Sequence, residues 1–231
     1  MNLNAYSFRE GDLFLFCGYR QHDYILFAML KEKYNMIMIN TPRMLTKELV
    51  DKLNPKMLFF PNWSWKVPKD IVDSYQCVCF HEGDLPKGRG GSPIQNHIIR
   101  GIKDTKSTAC LMIDRIDAGP IFCKRNLNLS GSLDDIFQRI IKNNYELTIE
   151  IIEKNPQLIP QDESEAEYYT RRKPEDSEID MNEDMPKIYD FIRMLADPYP
   201  NAFIMAGNRK IMFKDAKFHN GVIYGRYKIQ Q

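Results

Sequence analysis

Two residues in this 231-residue chain have the types and positions for proton chemistry, His81 and Asp117. His81 follows the apolar run Gln76–Phe80 (QCVCF) and precedes a loop punctuated by Pro86, Gly88, Gly90 and Gly91. Histidine titrates near neutrality, so it can take, hold or deliver a proton at working pH. Asp117 sits in an Asp-Ala-Gly turn within LMIDRIDAGPIF, residues 111–122. Such a turn is common for plain structural reasons. A carboxylate brought beside an imidazole, however, orients the ring and favours its charged form. A histidine at the carboxyl end of a strand, facing a glycine-rich loop and a helix start at Ser92-Pro93, is where open α/β sheets place chemistry. The expectation is that His81 and Asp117 meet.

The elements that must position them follow an alternating pattern. Short apolar runs at Asp12–Gly18, Met36–Ile39, Met57–Phe60 and Gln76–Phe80 read as strands. Helical spacing lies between them at Asp23–Tyr34, Leu45–Leu53 (Thr46 as cap) and Pro68–Tyr75. This predicts an α/β fold: a Rossmann-like, mostly parallel sheet with helices on both faces. A helix over Pro93–Arg100 comes next, then strands over Ser107–Ile113 and Gly119–Asn126, and a long amphipathic helix over Ser132–Ile152. Residues 158–185 are polar and charged and read as a linker or arm between a catalytic domain, 1–157, and a small C-terminal α+β appendage, 186–231. The appendage has a helix over Pro186–Leu195 and strands over Ala202–Met205, Lys210–Phe213 and Gly221–Ile229.

Other residues carry weaker signals. Lys87-Gly88-Arg89-Gly90-Gly91 is either a backbone nest for phosphate or a flexible turn with two solvated cations. Trp63 and Trp65 either stack on a flat ring or pack in the core. Arg171, Arg172 and Lys173 either meet a phosphate or form a solvated run. No GxGxxG follows Gly18 and no P-loop occurs, which argues against a dinucleotide or ATP site.

Composition bounds the function. The net charge of +1 gives the whole chain no basic footprint for nucleic acid. Five cysteines, an odd number and mostly in apolar runs, favour reduced thiols in a cytoplasmic protein and lack zinc-site spacing. The start MNLNAYSFREGD has no signal-peptide pattern, and no stretch approaches the ~18 apolar residues of a membrane span.

The string HEGDLPKGRGGSPIQNHIIRG, followed at the right distance by MIDRIDAGPI, resembles the core of the N10-formyltetrahydrofolate-dependent formyltransferases. The likeness runs from about Met57 to Ile152 and leans toward the sugar N-formyltransferases, including those beside pseudaminic-acid pathways. It implies formyl transfer from N10-formyltetrahydrofolate, without metal, to the primary amine of a nucleotide-linked amino sugar. Partners would then be that sugar, no nucleic acid and no membrane, with the C-terminal part of a size to form a homodimer contact.

The resemblance also implies site roles. His81 and Asp117 match the family's His and Asp, while Cys79 stands at the family's Asn and Gly83 at its Ser. Asn62, Asn96 or a backbone amide near Gly83 would replace the missing amide donor to the formyl oxygen. The pterin would lie between the Leu85-Pro86 loop and the Asp114–Asp117 turn, with Arg89, Gly90, Asp114, Arg115 and Ile116 among its contacts. Trp63, Lys87, Arg171 and Arg172 would meet the acceptor. Two alternatives stand beside this reading: a methionyl-tRNA-type formyltransferase, ranked lower for want of a complete C-terminal barrel and a basic surface, and a non-catalytic relative with a degenerate site.

Overall fold

A computed structural model describes residues 8–231. The signal-peptide expectation rests on residues 1–12, of which 1–7 lie outside the described residues. The alternating half of the chain runs β1 (Phe14–Cys17), α1 (Gln21–Lys31), β2 (Met36–Ile39), α2 (Lys47–Leu53), β3 (Met57–Phe60), α3 (Lys69–Ser74) and β4 (Cys77–His81). A two-residue strand β5 (Arg89–Gly90) and α4 (Pro93–Ile99) follow. Then come β6 (Asp104–Leu111), β7 (Ile121–Asn128) and α5 (Leu133–Lys154). The main sheet has the order β2-β1-β3-β4-β6-β7; the first four strands are parallel, and β6 and β7 are antiparallel.

Strand periodicity explains the layers. On β1, Phe14 and Phe16 point to one side and pack with Leu26 and Leu30 of α1 and Leu147 and Ile151 of α5. Leu15 and Cys17 point to the other side, against Val50 of α2 and Ile71 of α3. β1 and β3 are therefore buried on both faces, as continuous apolar runs, while Ile37 of the edge strand β2 is exposed. Thr46 caps α2 by accepting from the Leu49 amide at 3.2 Å, and Ser132 caps α5 in a reciprocal box with Asp135. Ser92, expected to cap α4, does not: it is left-handed (φ +54°), and its hydroxyl accepts from the Arg172 amide instead.

Residues 158–185 cross the site loops as an arm. Ile159 exchanges two backbone hydrogen bonds with Ile121, β8 (Tyr168–Tyr169) pairs in parallel with β5, and Ile179 donates to Phe203. Beyond it, α6 (Met185–Met194) packs its apolar face on α4. The strands β9 (Phe203–Ala206), β10 (Arg209–Phe213), β11 (Lys217–His219), β12 (Val222–Tyr224) and β13 (Tyr227–Gln230) form the rest of the appendage. They make a three-stranded sheet, β13-β10-β9, and a separate hairpin, β11-β12. The single strand expected over Gly221–Ile229 is broken at Gly225, where the backbone passes against the Asp215 carbonyl and leaves no room for a side chain. No helix among the described residues is long and apolar enough to cross a membrane.

Candidate active site

A cleft of about 570 Å³ opens at the carboxyl ends of β3 and β4. His81 closes β4 and is 5% exposed. Its Nε2 lies 2.8 Å from the Gly88 carbonyl oxygen, so this nitrogen carries the proton. Gly83 has no side chain for a physical reason: a Cβ there would lie 2.8 Å from Nε2 and 2.9 Å from Cδ2 of His81. The other ring nitrogen, Nδ1, faces Asp117 Oδ2 at 3.5 Å.

Asp117 reaches that position because its backbone is left-handed (φ +51°), which aspartate tolerates better than most residues. The turn is clamped. Gln161 donates from Nε2 to the carbonyls of Asp117 (2.8 Å) and Gly119 (2.7 Å), while the Gly90 amide donates to Asp117 Oδ2 (2.9 Å). A side chain at Gly119 would collide with the Leu111 carbonyl, which accounts for the glycine of the Asp-Ala-Gly turn. Among the described residues, no group of three or more His, Cys, Asp or Glu side chains converges as a metal site.

Cys79 also faces the cleft, with Sγ 3.7 Å from Asp117 Oδ1. Its thiol is pushed well up by a hydrogen bond with Cys110, its register partner on β6, and by burial. It is therefore a neutral S–H, a weak donor standing where the resemblance places an amide.

The remaining predicted residues divide. The structure brings Asn62, Trp63, Gly90, Asp114, Arg115, Ile116 and Arg171 to the cleft together with His81 and Asp117. Asn62 is engaged, donating to Asp23 Oδ1 at 2.9 Å. Asn96 is not brought in: its amide donates to the carbonyls of Gly91, Ser92 and Thr170, and its oxygen accepts from Arg100. Arg89 is wholly buried and spends its donors on Gln161, Glu163 and Tyr168, so it ties the arm to the loop. Leu85 is buried against Cys110 and Ile121, and neither it nor Pro86 lines the cleft, whereas Asn62–Val67 and the Asp114–Asp117 turn do. Lys87 borders a separate, more open cleft of about 490 Å³. Arg172 lies over the Phe191 ring and is held by the Asp176 carbonyl.

Sequence reasoning missed several lining residues. Arg20 and Tyr199 enter from distant parts of the chain, with the guanidinium 5.8 Å over the Tyr199 ring. Glu82, next to His81, is 8% exposed, and burial pushes its carboxyl up to about 7. The Asp23 carboxyl, fully buried, is likewise raised by burial. Only the adjacency of Glu82 to His81 could have marked it.

Comparison with known proteins bears on the acceptor. The sequence profile of the methionyl-tRNA formyltransferase C-terminal domain matches residues 174–230. Methionyl-tRNA formyltransferase of Rickettsia massiliae is 28% identical over 197 residues, which are 80% of this chain and 64% of that protein. The chain thus spans under two thirds of the length of that curated relative. A solved structure, methionyl-tRNA formyltransferase from Clostridium thermocellum, superposes with a TM-score of 0.92 at 40% identity, over 95% of this chain and 99% of that one. A sugar N-formyltransferase from a Shewanella species shares the fold, with a TM-score of 0.64 at 14% identity over 93% and 96% of the two chains.

These findings overturn two expectations. The sugar-directed reading fails because the likeness to sugar enzymes is one of fold, whereas the sequence likeness is to enzymes named for methionyl-tRNA. The expected absence of a nucleic-acid partner falls with it. It rested on net charge, and a whole-chain sum averages away any local basic surface. With 40% identity along nearly the whole of a solved formyltransferase, over a sheet that ends in His81 and Asp117, the chain belongs to the formyltransferase family.

Proposed function

We propose that the protein transfers the formyl group of N10-formyltetrahydrofolate to the α-amino group of methionyl-tRNA. The observation that carries the acceptor is the charge of the appendage. Residues 203–231 hold six cations (Arg209, Lys210, Lys214, Lys217, Arg226, Lys228) against one acid, Asp215, a local charge of 6 − 1 = +5. The other 202 residues therefore sum to −4. Arg209, Lys217 and Lys228 are exposed, beside the exposed rings of Phe218, Tyr224 and Tyr227. Cations interleaved with aromatic faces suit phosphates and unstacked bases.

The folate fits the cleft on the residues present. A space of about 570 Å³ suits a ligand of that size, and the indole Nε1 of Trp63 is buried there without a partner, ready for a polar ring edge. Asn62–Val67 and Met112–Ile116 offer two walls of non-strand backbone to a flat heterocycle. Bound there, N10-formyltetrahydrofolate supplies an activated formyl carbon. His81, fixed through Nε2 to Gly88, exchanges protons through Nδ1. Asp117 holds that proton's other end, and the Gly90 amide keeps the carboxylate oriented. The Cys79 thiol is a second side-chain donor beside Asp117, 3.7 Å from its Oδ1.

Filter binding of methionyl-tRNA across a salt series tests the acceptor. Binding should weaken steeply as salt rises, by a log–log slope of a few units. The triple change Arg209→Glu, Lys217→Glu, Lys228→Glu should weaken it by about a hundredfold or more if each cation meets a phosphate. Binding that is absent at low salt, or unaffected by the triple change, would contradict the reading.

A further inference from the structure

The carboxyl group of Glu82 is not used by the chemistry described so far. Glu82 lines the cleft beside His81, is 8% exposed, and its Oε1 is buried without any donor. A buried carboxylate left unpartnered is costly, and the loop does not need one here. What secures the loop at this point is backbone: the Glu82 carbonyl oxygen lies 3.1 Å from His97 Nε2, and Thr108 donates to the Gly83 carbonyl at 2.6 Å.

Titratable groups from several elements surround it. His81 on β4, Asp117 in the β6–β7 turn and Asp23 on α1 act on the Glu82 carboxyl, which in turn acts on Tyr199 beyond α6. His97 of α4 touches its backbone and is itself held neutral by burial, down to about 4. The cleft's Lys66, Lys69, Arg115 and Arg171 are exposed, at its mouth. The Asp23 carboxyl has His22 Nε2 beside it at 3.7 Å, and the half-buried Arg20 lines the cleft over the Tyr199 ring, but the Glu82 Oε1 has no hydrogen-bond partner.

We propose that Glu82 receives the acceptor's ammonium group and takes its first proton. This rests on the formyl-transfer reading above and assigns that reaction a further residue. The step balances simply. R–NH3+ and the Glu82 carboxylate become R–NH2 and the Glu82 carboxylic acid. The freed lone pair then bonds to the formyl carbon as that carbon leaves the donor nitrogen, which takes the second proton. Glu82 returns its own proton to water. The carboxyl, raised to about 7 by burial, is poised to exchange a proton with an amine of similar acidity.

The test uses methioninamide, a primary amine without a carboxylate, bound to the folate-free protein and measured by calorimetry at pH 7 in two buffers of different ionisation enthalpy. Wild type should release about half a proton more on binding than Glu82→Gln, because a carboxyl half-protonated at that pH must ionise to hold the ammonium, while any proton taken up by the amine is common to both. Glu82→Gln should bind at least about tenfold more weakly and lack that release, while Glu82→Asp should restore it. A circular-dichroism spectrum like wild type, and a melt no lower than wild type, must accompany the Gln variant. Equal affinity and equal proton release in Glu82→Gln would overturn the assignment, as would equally tight binding of N-acetylmethioninamide. If wild type fails to formylate methionyl-tRNA, the acceptor reading falls, and the calorimetry still decides the role of Glu82.

Discussion

His81 Nδ1 stands 3.5 Å from Asp117 Oδ2, and both side chains are less than a tenth exposed. The pair spans the gap between β4 and the β6–β7 turn, and each member is held by backbone: His81 by the Gly88 carbonyl, Asp117 by the Gly90 amide. The arrangement predicts loss of turnover on either substitution. His81→Asn and Asp117→Asn should each cut kcat by about a hundredfold or more, the usual scale for a lost acid–base group. Both variants should keep the native circular-dichroism spectrum. The Asp117 variant should also change the shape of the kcat–pH profile, since it removes the charge facing Nδ1. A profile that keeps its shape would reduce Asp117 to a turn residue.

A second prediction concerns the arm. Arg89 is fully buried, and its partners Gln161, Glu163 and Tyr168 all lie on the arm. Gln161 in turn clamps the Asp117 turn. Arg89→Met should therefore destabilise the protein by about 1–3 kcal/mol, through loss of its hydrogen bonds to Gln161 and to the charged Glu163. It should also open residues 160–170 to limited proteolysis. Arg89→Lys should not rescue, because one ammonium cannot bridge the Gln161 and Glu163 side chains as the planar fork does. Protease resistance equal to wild type in Arg89→Met would contradict this role.

A third prediction follows from the two groups moved most by burial at the site. Glu82 ionises near 4.5 when unfolded but near 7 when folded. The folded state thus holds more protons between those values, and the Glu82 contribution to stability is lost as pH rises through them. His97 acts in the opposite sense. It takes a proton near 6.5 when unfolded but only near 4 when folded, so its contribution is lost as pH falls through that range. The two oppose each other in the window they share, each by up to roughly 3 kcal/mol. Glu82→Gln removes one side. Denaturant melts should show the variant gaining about 3 kcal/mol relative to wild type between pH 4.5 and 7. A constant difference across that range would mean that Glu82 is not buried as described.

Much of this was legible in the sequence, for identifiable reasons. The parallel strands of the main sheet are short, mostly buried and flanked by punctuation, so their positions follow from apolar runs. His81 and Asp117 were marked by strand-end position and by a turn whose residues admit a left-handed aspartate. What stayed hidden depends on contacts remote in sequence. Arg89 reads as a ligand contact beside its glycines, yet its partners lie in a polar stretch that resembles a linker. Asn96 reads as a free amide, yet three carbonyls consume it. Glu82 carries no sequence signal but its place beside His81, and only the packing around it shows its burial. The basic appendage was lost in a net charge that also counts the acidic arm.

The central claim is tested most directly by mass spectrometry of the aminoacyl group after incubation with N10-formyltetrahydrofolate and methionyl-tRNA. The account predicts a gain of one formyl group on the methionyl amine in wild type, and its loss in His81→Asn. An unchanged methionyl group with the folded wild-type protein, or equal formylation by the His81 variant, would contradict it.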